Sequence, residues 1–110
     1  MTSAHTNKIR DLNDAFRKTL VGGEKFFTAE AVAMGPEFVT AALAAVRSFD
    51  AFTVDNDPYG EHDFGCVTVE GEKVFWKIDY YDTTLCYGSE DPADPAQTTR
   101  VITIMLAHEY

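Results

Sequence analysis

Cysteine, tryptophan and positive charge are all scarce in this chain of 110 residues: two Cys, one Trp, and nine Lys plus Arg against eighteen Asp plus Glu. Cys66 and Cys86 form no Cys-x-x-Cys pair, so they make a poor zinc site and no disulfide framework. They read instead as two small buried hydrophobes in a reducing compartment. The opening, Met1 to Lys8, has no apolar run, which argues against a secretory signal. No stretch approaches the roughly 20 apolar residues that span a bilayer. Cytoplasmic residence and no membrane partner are therefore expected. Catalytic signatures are lacking too: there is no Gly-x-Ser-x-Gly, no His-Glu-x-x-His, and Gly22-Gly23 is not followed by the residues of a phosphate loop. Asp63-Phe64-Gly65 matches a kinase tripeptide without any accompanying kinase motif. The expectation is a non-enzymatic protein with no cofactor and no metal.

What is present is apolar mass and negative charge. Hydrophobic residues make up 45% of the chain, and eight Phe, five Tyr and one Trp supply large buried areas. The length suits one domain, 1–110, with residues 1–6 as a disordered tail. The charge is uneven. Residues 50–94 hold twelve acids against Lys73 and Lys77, a net of −10, while the flanking segments are close to neutral. Such a field repels nucleic acid and anionic membrane and attracts basic protein surfaces.

Ile9, Leu12, Phe16 and Leu20 recur at steps of three and four and predict an amphipathic helix, capped by Thr6 or Asn7 and stopped at Gly22-Gly23. Lys25-Phe26-Phe27 reads as a short strand. Thr28 can cap one helical turn through Met34, and Pro36 opens a second long helix to about Phe49. Val39, Leu43 and Val46 form its stripe, widened by Phe38, Ala42, Ala45 and Phe49. Strands follow over Phe64–Val69, Lys73–Tyr81 and Val101–Leu106, with a further short strand possible over Thr83–Tyr87. Along the second of these, Val74, Trp76, Ile78 and Tyr80 point to the core. Arg100, Ile102, Ile104 and Leu106 share one side of the last. Helices first and strands after give an α+β class, with two N-terminal helices on one face of an antiparallel sheet of three to four strands.

The densest polar run is Asp55-Asn56-Asp57-Pro58-Tyr59-Gly60-Glu61-His62-Asp63. As a calcium loop it fails at its fifth and twelfth positions, Tyr59 and Cys66. It reads better as an acidic turn whose carboxylates cap backbone N–H groups. His62, flanked by Glu61 and Asp63, is the best general-base candidate, and a metal-assisted hydrolase using Asp57, Glu61, His62 and Asp63 is the rival reading. Phe75, Lys77, Asp79 and Tyr81 share the strand face turned away from the helices. Aromatics interleaved with charge have the composition of an interface hot spot.

Several segments resemble an uncharacterised bacterial family, domain of unknown function 3768. They are Ile9–Arg17, Phe52–Gly65, Val74–Asp82, Asp91–Pro95 and Thr99–Ala107, spread over nearly the whole chain. The family brings no established activity, so the resemblance implies no catalytic residues. It does imply a small stand-alone protein associated with plasmids and other mobile elements, and such proteins often block host defence complexes. The resulting expectation is a binding module that docks on the basic surface of a larger protein or nucleoprotein complex, as an anti-CRISPR or anti-restriction inhibitor would. Its contacts would be Asp55, Asp57, Tyr59, Glu61, His62, Asp63, Phe75, Lys77, Asp79, Tyr81 and Asp82. No direct nucleic-acid binding is expected. A housekeeping homodimer is the third reading.

Overall fold

The computed structural model describes residues 3–110; Met1 and Thr2, the start of the expected tail, lie outside the described residues. The first helix, α1 (Ala4–Thr19), begins earlier than expected, because Ser3 rather than Thr6 or Asn7 is its cap. The Ser3 hydroxyl accepts the Thr6 N–H at 3.0 Å, satisfying one of the unpaired donors of the first turn. Residues 4–6 are therefore helical, not a loose tail. The helix ends at Leu20, which takes the left-handed conformation (φ 61°) and returns its N–H to the Phe16 carbonyl.

A short strand, β1 (Gly23–Phe27), leads to the single turn α2 (Ala29–Ala33), capped by Thr28. Pro36 then opens α3 (Pro36–Arg47), where its missing N–H costs nothing. The fully buried ridge of α3 is Phe38, Ala42 and Val46; the expected Leu43 packs at its flank and Val39 is half-exposed.

Three strands follow: β2 (Phe64–Val69), β3 (Glu72–Tyr81) and β4 (Thr99–Leu106). Glu70 and Gly71 both adopt positive φ, 52° and 82°, which matches the twist of a two-residue hairpin between β2 and β3. No strand forms over Thr83–Tyr87; the Asp82 carboxylate ties Thr84 and Cys86 into a turn instead.

The strand order is β1-β4-β3-β2, and the sheet is mixed. β3 runs antiparallel to both its neighbours, but β1 pairs parallel to β4, with Gly23 opposite Arg100 and Phe27 opposite Ile104. This corrects the all-antiparallel expectation. A parallel pair needs a long connection, and here residues 28–98, about two-thirds of the chain, intervene between the two strands.

Helices cover one face of the sheet. Phe16, Ala31, Phe38, Ala42 and Val46 pack there against Val74, Trp76, Ile78, Ile102, Ile104 and Leu106, with Tyr80 at the margin. Cys66 and Cys86 are both exposed free thiols, contrary to the buried pair expected. Cys66 sits on an outer face of an edge strand and Cys86 in the Asp82 turn, so neither reaches the core.

Candidate functional site

Two places concentrate chemistry: a polar junction under the 50–63 segment, and the open face of the sheet. The junction is built where α1 crosses the ends of β3 and β4. An α-helix advances 100° per residue, so Asn13 falls within the same stripe as Ile9, Phe16 and Leu20, and Arg17 lies at its border. Both are completely buried.

Arg17 donates to the Asp14 carboxylate at 3.0 Å and to the Phe49 carbonyl at 3.0 Å. Its guanidinium packs over two rings, 5.2 Å from the centroid of Phe52 and 5.3 Å from that of Trp76. His62 stacks on Phe52, with ring centroids 3.7 Å apart and planes 3° from parallel. The His62 Nδ1 meets Asp14 Oδ1 at 2.9 Å, and its Nε2 lies 3.5 Å from Asp57. Asp57 also accepts the His62 backbone N–H at 3.2 Å, which holds that residue at a positive φ of 57°. The partners of His62 are thus Asp14 and Asp57, not the adjoining Glu61 and Asp63.

A second chain of hydrogen bonds runs beside the first. Tyr80 donates its hydroxyl to Glu61 Oε1 at 2.6 Å and accepts from the Asn13 amide at 2.8 Å. Asn13 Oδ1 accepts from Arg100 Nε at 2.6 Å, and Arg100 Nη2 donates to the Pro92 carbonyl. Burial, then the bond to Glu61, pushes the Tyr80 phenol far above its ordinary range. Burial likewise lowers the Arg100 guanidinium, and burial followed by the charge of Glu61 raises the Asp63 carboxyl.

Of the four residues of the hydrolase reading, Asp57 and His62 meet, Glu61 is committed to Tyr80, and Asp63 approaches its neighbours only through long-range charge. Among the described residues no group of three or more His, Cys, Asp or Glu is arranged to hold a metal ion. Both ring nitrogens of His62 face carboxylates, and a general base needs one of them free for substrate.

The open face carries the rest of the predicted set. Phe75, Lys77, Asp79 and Tyr81 project from β3 away from the helices, opposite Met105, Thr103, Val101 and Thr99. Lys77 and Asp79 form an ion pair at 3.1 Å, about two-fifths exposed. Phe64, Phe75 and Tyr110 make a three-ring cluster with centroids 5.3–5.4 Å apart. Phe26 of β1 extends this apolar surface, 54% exposed. Sequence reasoning missed Phe26, Phe64 and Tyr110 here; the alternation of β1 and β2 points to the first two, but nothing local signals Tyr110. Asp55 and Tyr59 are exposed on the loop, and Asp82 is spent on Thr84 and Cys86.

The fold is thus an α+β layer with helices on one side of a mixed sheet and an aromatic open face on the other. The chain belongs to the family described as Protein of unknown function (DUF3768), whose model matches residues 27–109. No curated protein and no solved structure matches it. Among the described residues, no helix is long and apolar enough to cross a membrane.

Proposed function

We propose that this protein is a non-enzymatic binding module that docks on a basic protein surface through the open face of its sheet. One observation carries the reading: the face opposite the helices brings Phe26, Phe64, Phe75 and Tyr81 together, half-buried to exposed, and among the described residues the one ring recorded packing on Phe64 and Phe75 from outside the sheet is Tyr110. An aromatic centre with one ion pair and a charged surround has the composition of an interface core and rim. Carboxylates stand at both ends of β3, Glu70 and Glu72 in the hairpin and Asp82 beyond Tyr81, and the chain as a whole carries −9. Electrostatic complementarity therefore selects a basic partner, setting the association rate and salt dependence, while the rings set the residence time. In its sharpest form the partner is a nucleic-acid-handling defence complex of the host, and the protein's carboxylates stand where phosphates would lie.

The test is an affinity capture from host lysate at low and high salt, repeated with F26D and with exposed carboxylates neutralised (D55N, E70Q, E72Q). Capture of one basic complex, weakened by salt and by either set of changes, supports the reading. Capture of a basic complex that is indifferent to F26D removes the open face from it. A stable dimer in sizing experiments, with no foreign partner, would make the occupant a second copy of this chain.

A further inference from the structure

Arg100 occupies an unusual position for a cation. It is only 4% exposed, on the core face of β4, yet no carboxylate among the described residues forms an ion pair with it. Its hydrogen-bond acceptors are neutral: the Asn13 side-chain oxygen on Nε and the Pro92 carbonyl on Nη2, with the Tyr80 ring 5.3 Å from its centre. The nearest negative charge in its network, Glu61, is reached only through Asn13 and Tyr80. A buried charge is normally matched by a counter-charge, because neutral dipoles replace only part of its lost hydration.

Arg100 also lines a cavity. Between the second half of α1, the Val21-Gly22 link and the segment before β4 lies a space of about 510 Å³, walled by Leu12, Ala15, Phe16, Val21 and Pro95, with Thr98 beside the arginine. That volume falls within the ~300–1,000 Å³ of small-molecule sites, and apolar walls with one well-placed polar group are their usual make-up. Nη1 makes no hydrogen bond among the described residues, so the guanidinium keeps donor capacity. The Thr98 hydroxyl is already bound to the Asp91 carbonyl at 2.8 Å, which leaves Arg100 as the charged recognition element.

We propose that this cavity is a binding site for a small carboxylate with an apolar body, its carboxylate paired to Arg100 and its hydrocarbon part against Leu12, Ala15, Phe16 and Val21. A planar carboxylate is the anion that a guanidinium receives best, and pairing there supplies a direct counter-charge where the described residues offer only the more distant Glu61. An inorganic anion would leave the apolar walls unfilled, and a neutral alkyl chain would leave the cation unmatched. The site lies on the helix side of the sheet, so its fate is independent of the open face.

The experiment is a titration of the full chain with octanoate, followed by amide chemical shifts, with octan-1-ol and inorganic sulfate as separate arms. Octanoate should give saturable shifts centred on Val21, Thr98 and Arg100, at least tenfold tighter than either comparison. A15L, which fills the cavity from an exposed helix position, should abolish them while leaving the remaining spectrum unchanged, and V21E should weaken them by placing a carboxylate at the rim. Because R100Q can unfold the chain, these two variants keep the test decisive. Equal binding of octanol, equal binding of sulfate, no saturable shift, or shifts that persist in A15L would each overturn the proposal.

Discussion

The Asp14 carboxylate lies 2.9 Å from Nδ1 of His62, a residue 48 positions further along the chain, and the same oxygen receives Nη1 of Arg17 at 3.0 Å. One side chain on α1 thereby secures both a buried guanidinium and the loop that covers it. Replacing Asp14 by Ala removes the counter-charge from Arg17 and frees His62. The expected loss is about 1–3 kcal/mol, moderated by the partial exposure of Asp14. Urea unfolding checks it, and D14N should recover part of the loss through its remaining side-chain oxygen.

Asn13 and Tyr80 act as one unit. N13A strands Arg100 Nε and takes from the Tyr80 hydroxyl the donor it accepts from, while Y80F strands Glu61 Oε1 and one of the two Asn13 amide N–H groups, the other being bound to the Glu61 carbonyl. Each is expected to cost roughly 1–3 kcal/mol. Since both changes remove the same Asn13–Tyr80 hydrogen bond, the double variant should cost less than the sum, by about 0.5 kcal/mol or more. A thermodynamic cycle from denaturant curves measures the coupling, and strict additivity would contradict the chain of hydrogen bonds.

Asp63 gives a pH signature. Burial, and then Glu61, holds its carboxyl above the usual value of 3.8 in the folded protein. The native state therefore binds this proton more tightly than the unfolded state does, so stability from this group falls as pH rises above 3.8. D63N removes the penalty. It should raise the melting temperature at pH 7 relative to the parent, and the advantage should shrink as pH falls below the ordinary carboxylate range. A gain independent of pH would show a different cause.

Gly65 is required by contact rather than by conformation. A Cβ there would stand 2.5 Å from Nε1 of Trp76 and 2.7 Å from the same indole's carbons, and Trp76 is fully buried. G65A forces either the strand or the ring to shift, at a cost of about 1–3 kcal/mol in denaturant unfolding. Near-ultraviolet circular dichroism should report the displaced indole.

Much of the framework was legible along the chain. The 3.6-residue stripe of α1, Pro36 at the head of α3, the Glu70-Gly71 hairpin and the inward set Val74, Trp76 and Ile78 all follow from periodicity and turn chemistry that act within a few residues. The apolar stripe of α3 included the buried Phe38, Ala42 and Val46 but was centred on Val39 and Leu43, because both edges of it are apolar and only the facing sheet chooses between them. Both cysteines were assigned to the core on residue type, which says nothing of the edge strand and turn where they lie.

The candidate site divides along the same line. That Phe75, Lys77, Asp79 and Tyr81 share a face is a property of any strand, since side chains alternate with a period of two. The pairing of His62 with Asp14, the burial of Asn13 and Arg17 and the placing of Arg100, without an ion pair among the described residues, beside an apolar cavity join segments 32 to 87 residues apart. So does the parallel addition of β1 beside β4. Local backbone sterics and hydrophobic period set the elements, because they act between near neighbours. Which polar groups meet, and which charge is left without a partner, is settled only when the helices close over the sheet and remove those groups from water.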